Sequence, residues 1–166
     1  MSPEKSAQPQ LPPIDAIDAP SLGSSYENWF EYPVKVQPHH TDYAGVVWHG
    51  RYLNWMEDAR VEYLRSIGIE LADLAALGCD LAVVELSVKY HHPLFFGMSG
   101  VVKTRLDLSG VRMNWNYAIV SPDEQELYVT AQVTLVPLDK ERGKIMRQLP
   151  SSFQEALARI TTIYSK

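Results

Sequence analysis

The stretch "HHTDYAGVVWHGRY", His39 to Tyr52, places three of the chain's five histidines around one carboxylate, Asp42. Three kinds of chemistry suit those residue types. His39, His40, Asp42 and His49 all carry atoms that bind zinc. But His39 and His40 are adjacent, and adjacent side chains on a strand point to opposite faces. Neither a His-x-x-x-His at helical spacing nor a cysteine cluster accompanies them, so no metal is expected. A serine or cysteine nucleophile has little support. The chain lacks a Gly-x-Ser-x-Gly elbow, and its single cysteine, Cys79, stands beside Gly78 as a structural residue would. That leaves Asp42. It precedes an apolar helical pattern, and a helix N-terminus offers unpaired N–H groups and positive dipole character. Such groups polarise a carbonyl, and a neighbouring carboxylate can then act as base or nucleophile. An aspartate in "TDYAG" also suits a plain turn, and the residues alone leave both readings open.

The elements around the loop follow from periodicity. Before it, "WFEYPVKVQP" alternates, with Phe30, Tyr32, Val34 and Val36 on one parity. Pro33 and Pro38 each remove a ladder donor, so this strand belongs at an edge or ends early. After the loop, "YLNWMEDARVEYLRSIG" repeats Tyr52, Met56, Ala59, Tyr63 and Ile67 at 3–4 spacing, a helix over 50–67 stopped by Gly68. Glu57 and Asp58 on that helix are expected to pair with Arg60 or its neighbours. A short helix about 70–77 follows. The chain then turns strand-like to residue 139. "DLAVVELSVKYHH" stops before Pro93, with His91 and His92 as partly exposed structural residues. "GVVKTRLDLSG" sets Val102, Thr104, Leu106 and Leu108 against Lys103, Arg105 and Asp107. "RMNWNYAIVS" and "ELYVTAQVTLVPLD" complete a meander joined by short polar turns. "PSSFQEALARITTIY" closes the chain as a helix. An antiparallel sheet apolar on one face needs a partner layer. Only the helix 50–67 is long and apolar enough, so a curved sheet wrapped around one central helix is expected, an α+β fold.

Composition bounds what such a domain does. The chain has 166 residues, 46% of them hydrophobic and 21% charged, enough for one domain with a sizeable core. Net charge is −5 with no Lys/Arg cluster, which argues against a nucleic-acid footprint. No apolar run approaches the ~20 residues of a membrane span. A single cysteine excludes an internal disulfide and fits a reducing, cytoplasmic compartment. Residues 1–25 hold five of the eleven prolines. They read as a poorly ordered leader ahead of a single domain, 26–166.

"TDYAGVVWHGRYLNWMEDAR" resembles the opening motif of hotdog-fold acyl-CoA thioesterases of the 4-hydroxybenzoyl-CoA thioesterase family. That group includes the short acyl-CoA thioesterases associated with the Tol-Pal system. The matching positions are Thr41-Asp42, Ala44, Gly45, Val46-Val47, Trp48, His49, Tyr52 and Asp58-Ala59-Arg60. "SVKYHHPLFFG" is similar to the family's central strand through Tyr90, Pro93 and Gly97. The resemblance spans about residues 29–155 and implies a hotdog fold, homodimers or homotetramers with the acyl site between subunits, an acyl-CoA substrate, and no cofactor. It implies that Asp42 is the catalytic carboxylate, as nucleophile or general base. The backbone N–H of His49 or Gly50 would polarise the thioester carbonyl, with the His49 side chain also implicated. Val46, Val47, Trp48 and Tyr52 are then candidates to line the acyl pocket. Arg112, and with it Arg142, Lys144 and Arg147, are candidates to meet the phosphates of CoA. The Tol-Pal branch carries a tyrosine where this chain has Pro38, and acidic residues where it has His39 and His40. The resemblance also takes in relatives that hydrolyse aromatic thioesters such as 1,4-dihydroxy-2-naphthoyl-CoA, so an aromatic acyl group stays open beside an aliphatic one. Two other functions compete: a hotdog hydratase or dehydratase, and a non-catalytic module that binds acyl thioesters.

Overall fold

The computed structural model describes residues 26–164, and side-chain surroundings for 26–159. The leader expected over 1–25 lies outside the described residues. The elements run β1 (Phe30–Lys35), a 3-10 turn (Pro38–His40), α1 (Arg51–Ser66), α2 (Leu71–Ala76), β2 (Cys79–Tyr90), β3 (Ser99–Ser109), β4 (Arg112–Val120), β5 (Leu127–Asp139), β6 (Lys144–Ile145) and α3 (Ser151–Tyr164). All strand pairs are antiparallel, in the order β1-β3-β4-β5-β2, with β6 added beside β5.

Alternation in β4 puts Met113, Trp115, Tyr117 and Ile119 on one face, and all four are buried. Onto this face α1 lays Tyr52, Trp55, Met56, Ala59, Tyr63 and Leu64. Tyr63 meets Trp115 edge to face at 5.1 Å and Phe30 at 5.4 Å, which ties helix, centre strand and edge strand together. Each large side chain buried here is worth roughly 1.5–3 kcal/mol. Ala59 has no exposed surface, so a larger residue there would overpack the helix against the sheet at about 1–3 kcal/mol. Beyond Ser66 the chain turns at Gly68, whose φ of +87° suits glycine and lets the Ile69 N–H reach Leu64 O at 2.8 Å. Leu149, Phe153, Ala156 and Leu157 bring the last helix into the same core. A curved antiparallel sheet around one central helix is the hotdog fold, and β1 takes an edge and ends before Pro38, in keeping with both outcomes that Pro33 and Pro38 allowed.

The structure departs from the sequence reading at three places. Lys103, expected on the solvated side of β3, is 5% exposed. Its ammonium donates to Glu31 at 2.7 Å and also to Glu124, so two acidic partners stabilise the buried charge. Arg60 does not pair with Glu57 or Asp58; it donates to the Tyr117 hydroxyl at 3.0 Å. His39 and His40 sit in a 3-10 turn, not on a strand, with rings 4.2 Å apart. Alternation left the order of the strands open, and β2 proves to be the sheet's other edge. Val83, Val84 and Leu86 are exposed there, and the pairing with β5 is irregular between Val83 and Glu85.

Candidate active site

Residues 40–48 fold into a miniature ribbon. Thr41 bridges Val47, Asp42 N–H donates to Val46 O at 2.8 Å, and Trp48 N–H donates to His40 O at 3.0 Å. The segment after β2 holds this ribbon in place. Val46 bridges Phe95, Val47 N–H donates to Leu94 O at 2.9 Å, and Phe96 N–H donates to Gly45 O at 3.0 Å. Gly45 makes the reversal with φ +76°, a conformation that costs other L-residues about 1–2 kcal/mol.

Asp42 occupies the turn of the ribbon. Its Oδ1 accepts from the N–H groups of Ala44 at 2.8 Å and Val46 at 3.2 Å. Oδ2 has no hydrogen-bond partner among the described residues, and the side chain is exposed. The turn contacts thus fall on one oxygen of the carboxylate and leave the other without a partner among the described residues. At the ribbon's other end the chain enters α1. No side chain caps this helix, and no acidic residue lies in its first turn. The N–H groups of His49 and Gly50 donate to no acceptor among the described residues. Unpaired amides with the positive end of a helix dipole make a site for an oxyanion. Gly50 has a local steric reason: a Cβ there would lie 2.3 Å from the Trp48 ring, which folds over it.

An apolar cleft of about 190 Å³ opens beside the helix entrance, lined by Val46, Val47, His49, Tyr52, Tyr90, His91, His92 and Pro93. Four of the residues proposed from sequence are thus brought together here. Trp48 is not among them; its ring is half exposed and lies 4.8 Å from that of His49. Arg112 stands at the far end of the sheet, 3.7 Å from Glu85. Glu85 is five strand positions from Tyr90, or about 17 Å at ~3.3 Å per residue. Tyr90, His91 and His92 had been assigned no role at the site. Tyr90 donates to His49 O at 2.7 Å, His91 Nε2 lies 2.8 Å from Thr130 Oγ1, and His92 Nδ1 lies 3.0 Å from Leu127 O. Their signal in sequence is the close run of polar rings before Pro93, together with the family resemblance at Tyr90.

Burial shifts Tyr52, Tyr90 and His91 along this wall. It pushes the Tyr52 phenol up to about 12, helped by Tyr90 and Tyr128 nearby and opposed by the Leu94 backbone. Burial also raises Tyr90. Burial, then the proximity of His92 and Lys89, lowers His91. His40 is lowered by burial, His39 and Arg51. Its Nδ1 accepts from Gln37 N–H at 2.9 Å, and its ring meets Trp55 edge to face at 5.3 Å. That histidine anchors the ribbon to the helix. Among the described residues no three His, Cys, Asp or Glu side chains are grouped to hold a metal ion.

A hotdog domain with a carboxylate at the turn of a ribbon, an open helix N-terminus at that ribbon's other end and an apolar cleft at the helix entrance, whose lining includes neither Asp42 nor Gly50, is built as a thioesterase-type protein. The chain belongs to the Thioesterase-like superfamily, whose model matches residues 36–159. It is 48% identical over 161 residues to the Synechocystis sp. protein named "Putative esterase sll0410", covering 93% of this chain and 97% of that one. It is 31% identical over 124 residues to "Acyl-CoA thioester hydrolase YbgC" of Escherichia coli, covering 74% and 91%. Among solved structures, Slr0204, a 1,4-dihydroxy-2-naphthoyl-CoA thioesterase from Synechocystis, superposes with a TM-score of 0.72 at 26% identity, covering 78% and 95%. No helix among the described residues is long and apolar enough to cross a membrane.

Proposed function

We propose that the protein hydrolyses an acyl-CoA thioester, aliphatic or aromatic, to the free acid and CoA. One observation carries this: the Asp42 carboxylate is oriented through Oδ1 while Oδ2 stays open, and the same short ribbon leads to the unpaired N–H groups of His49 and Gly50. In this reading the thioester carbonyl oxygen accepts from those amides, which hold the negative charge that develops on it. Asp42 Oδ2 either attacks the carbonyl carbon, whereupon the C–S bond breaks to release CoA thiolate and water hydrolyses the mixed anhydride, or takes a proton from an attacking water, whose tetrahedral adduct expels CoA thiolate, protonated to the free thiol. The acyl group enters the cleft over Val46, Val47 and Tyr52, with the imidazole of His49 at its wall and Trp48 outside. The names of the relatives support the substrate class.

We infer further that two copies pair through β2, with higher assembly to a tetramer open. An edge strand that exposes Val83, Val84 and Leu86 is an aggregation liability unless another strand covers it. Phe95, Phe96 and Trp48 extend the apolar surface towards the cleft. Such pairing leaves Arg112 a route to CoA as a residue of the neighbouring copy. The buried, unpaired thiol of Cys79 suits a cytoplasmic setting.

The test is a panel of short aliphatic, long aliphatic and aromatic CoA esters, with thiol release followed by a thiol-reactive dye. Saturable release from at least one ester class is expected. Silence across the panel, with the protein folded and binding the esters, would turn the reading into one of a binding module.

A further inference from the structure

The peptide that joins His49 to Gly50 stands outside the hydrogen-bond ladder of α1. Arg51 N–H donates to Trp48 O at 2.8 Å and Leu53 N–H to Gly50 O at 3.2 Å, so the first turn of the helix passes over His49 O. The Gly50 N–H on the other edge of the same peptide has no acceptor among the described residues. One group holds this unit: the Tyr90 hydroxyl, which donates to His49 O at 2.7 Å from 41 residues away.

We propose that Tyr90 is a positioning residue for the carbonyl-polarising amide, acting through the His49–Gly50 peptide. This rests on the thioesterase reading above. The described residues contain no cis peptide bond, and in a trans peptide the C=O and N–H point in opposite directions. Fixing the carbonyl edge therefore fixes the direction of the Gly50 N–H. A donor on the carbonyl also draws electron density through the amide and strengthens its N–H as a donor, since linked hydrogen bonds polarise one another. Tyr90 suits the task because it is itself held. It is the last residue of β2 and pairs with Val129, and its ring lies 5.6 Å from the buried Tyr52 ring. Nothing about the arrangement needs the Tyr90 ring to touch the reacting atoms.

Removing a direct oxyanion donor costs about 10²–10³ in kcat, so loosening that donor from behind should cost about tenfold. Tyr90→Phe keeps the ring and removes only the hydroxyl. The expected result is kcat about tenfold lower with KM within about twofold. A second readout separates positioning from simple stability. In an Asp42→Asn background, which holds the thioester intact, the infrared carbonyl stretch of a ¹³C-labelled bound acyl-CoA reports polarisation directly. It should move back towards its solution value when Tyr90→Phe is added. Incorporation of 3-fluorotyrosine at position 90, a stronger donor of nearly the same shape, should move it the other way. If Tyr90→Phe fails to fold, the fluorotyrosine arm decides. A wild-type rate in Tyr90→Phe, or a carbonyl stretch that ignores both changes, overturns the inference. If the wild type is active and Asp42→Asn silent, that failure belongs to Tyr90 alone. If the wild type cleaves no thioester, the functional reading fails and the inference falls with it.

Discussion

Asp42→Asn separates the two duties proposed for this residue. Asparagine keeps an oxygen where Oδ1 accepts from Ala44 and Val46, so the turn persists. Each bond changes from charge-assisted, worth about 1.5–3 kcal/mol, to neutral, worth about 0.5–1.5. The side chain is exposed, and solvent takes up much of that difference, so a net loss of about 1 kcal/mol is expected. For a chain of this length that lowers Tm by about 2–4 °C. The catalytic loss is much larger. Oδ2 becomes an amide NH₂, which neither attacks nor accepts a proton, and a missing general base costs about 10²–10⁴ in rate. At ~1.36 kcal/mol per decade this is about 3–5 kcal/mol. Asp42→Ala should lose activity to the same degree, and more stability, because both amides then lose their protein acceptor. The assay pairs steady-state thiol release with thermal melts on all three proteins. If Asp42→Asn keeps kcat within a few-fold of wild type, the carboxylate is only a turn former. If Asp42→Asn unfolds as readily as Asp42→Ala, the division of labour between the two oxygens is wrong.

Three further perturbations test the surrounding structure. Gly45→Ala should lower stability by about 1–2 kcal/mol from φ alone, because nothing lies within 4 Å of the added carbon; Gly45→Asn should lose less in a denaturant melt, since asparagine visits this conformation more readily. Lys103→Met keeps the buried stem and removes the charge, while Glu31 and Glu124, both about half exposed, return to water. The double variant Glu31→Gln, Glu124→Gln instead leaves a buried ammonium without anionic partners, and should destabilise more than Lys103→Met by about 1–3 kcal/mol; equal melts would refute the asymmetry. Val84→Lys with Leu86→Lys on β2 should convert an assembly into a species near 18.8 kDa by light scattering, and a wild type already at that mass would remove the pairing model.

Much of the fold was legible because its determinants are local. The inward run Met113, Trp115, Tyr117, Ile119 and the helical spacing of Tyr52, Met56, Ala59 and Tyr63 each name a buried face without knowledge of the other. Pro33 told of an edge for β1 by removing a donor. What periodicity could not give was which strands are central. A Val/Leu-rich strand such as β2 looks the same whether a sheet partner or a second chain covers it. Lys103 was misplaced for a related reason. Alternation gives its side correctly, but the anionic partners that hold it there, Glu31 on β1 and Glu124 in the β4–β5 turn, are distant in sequence.

The same division runs through the candidate site. Asp42, Gly45 and the helix entrance lie within nine residues, and their geometry is a matter of one turn and one helix start, so spacing exposes it. The other wall of the cleft is long-range. Tyr90 reaches His49 across 41 residues, and only because Val46 and Val47 are pinned to Phe95 and Leu94 does the end of β2 stand beside the start of α1. A resemblance in "SVKYHHPLFFG" can mark Tyr90 as a matching residue, but a role requires knowing which carbonyl its hydroxyl meets. That carbonyl belongs to the peptide whose other edge is the Gly50 N–H. In the proposed reaction the local motif thus supplies the reacting groups, while the long-range contact fixes the direction in which one of them points.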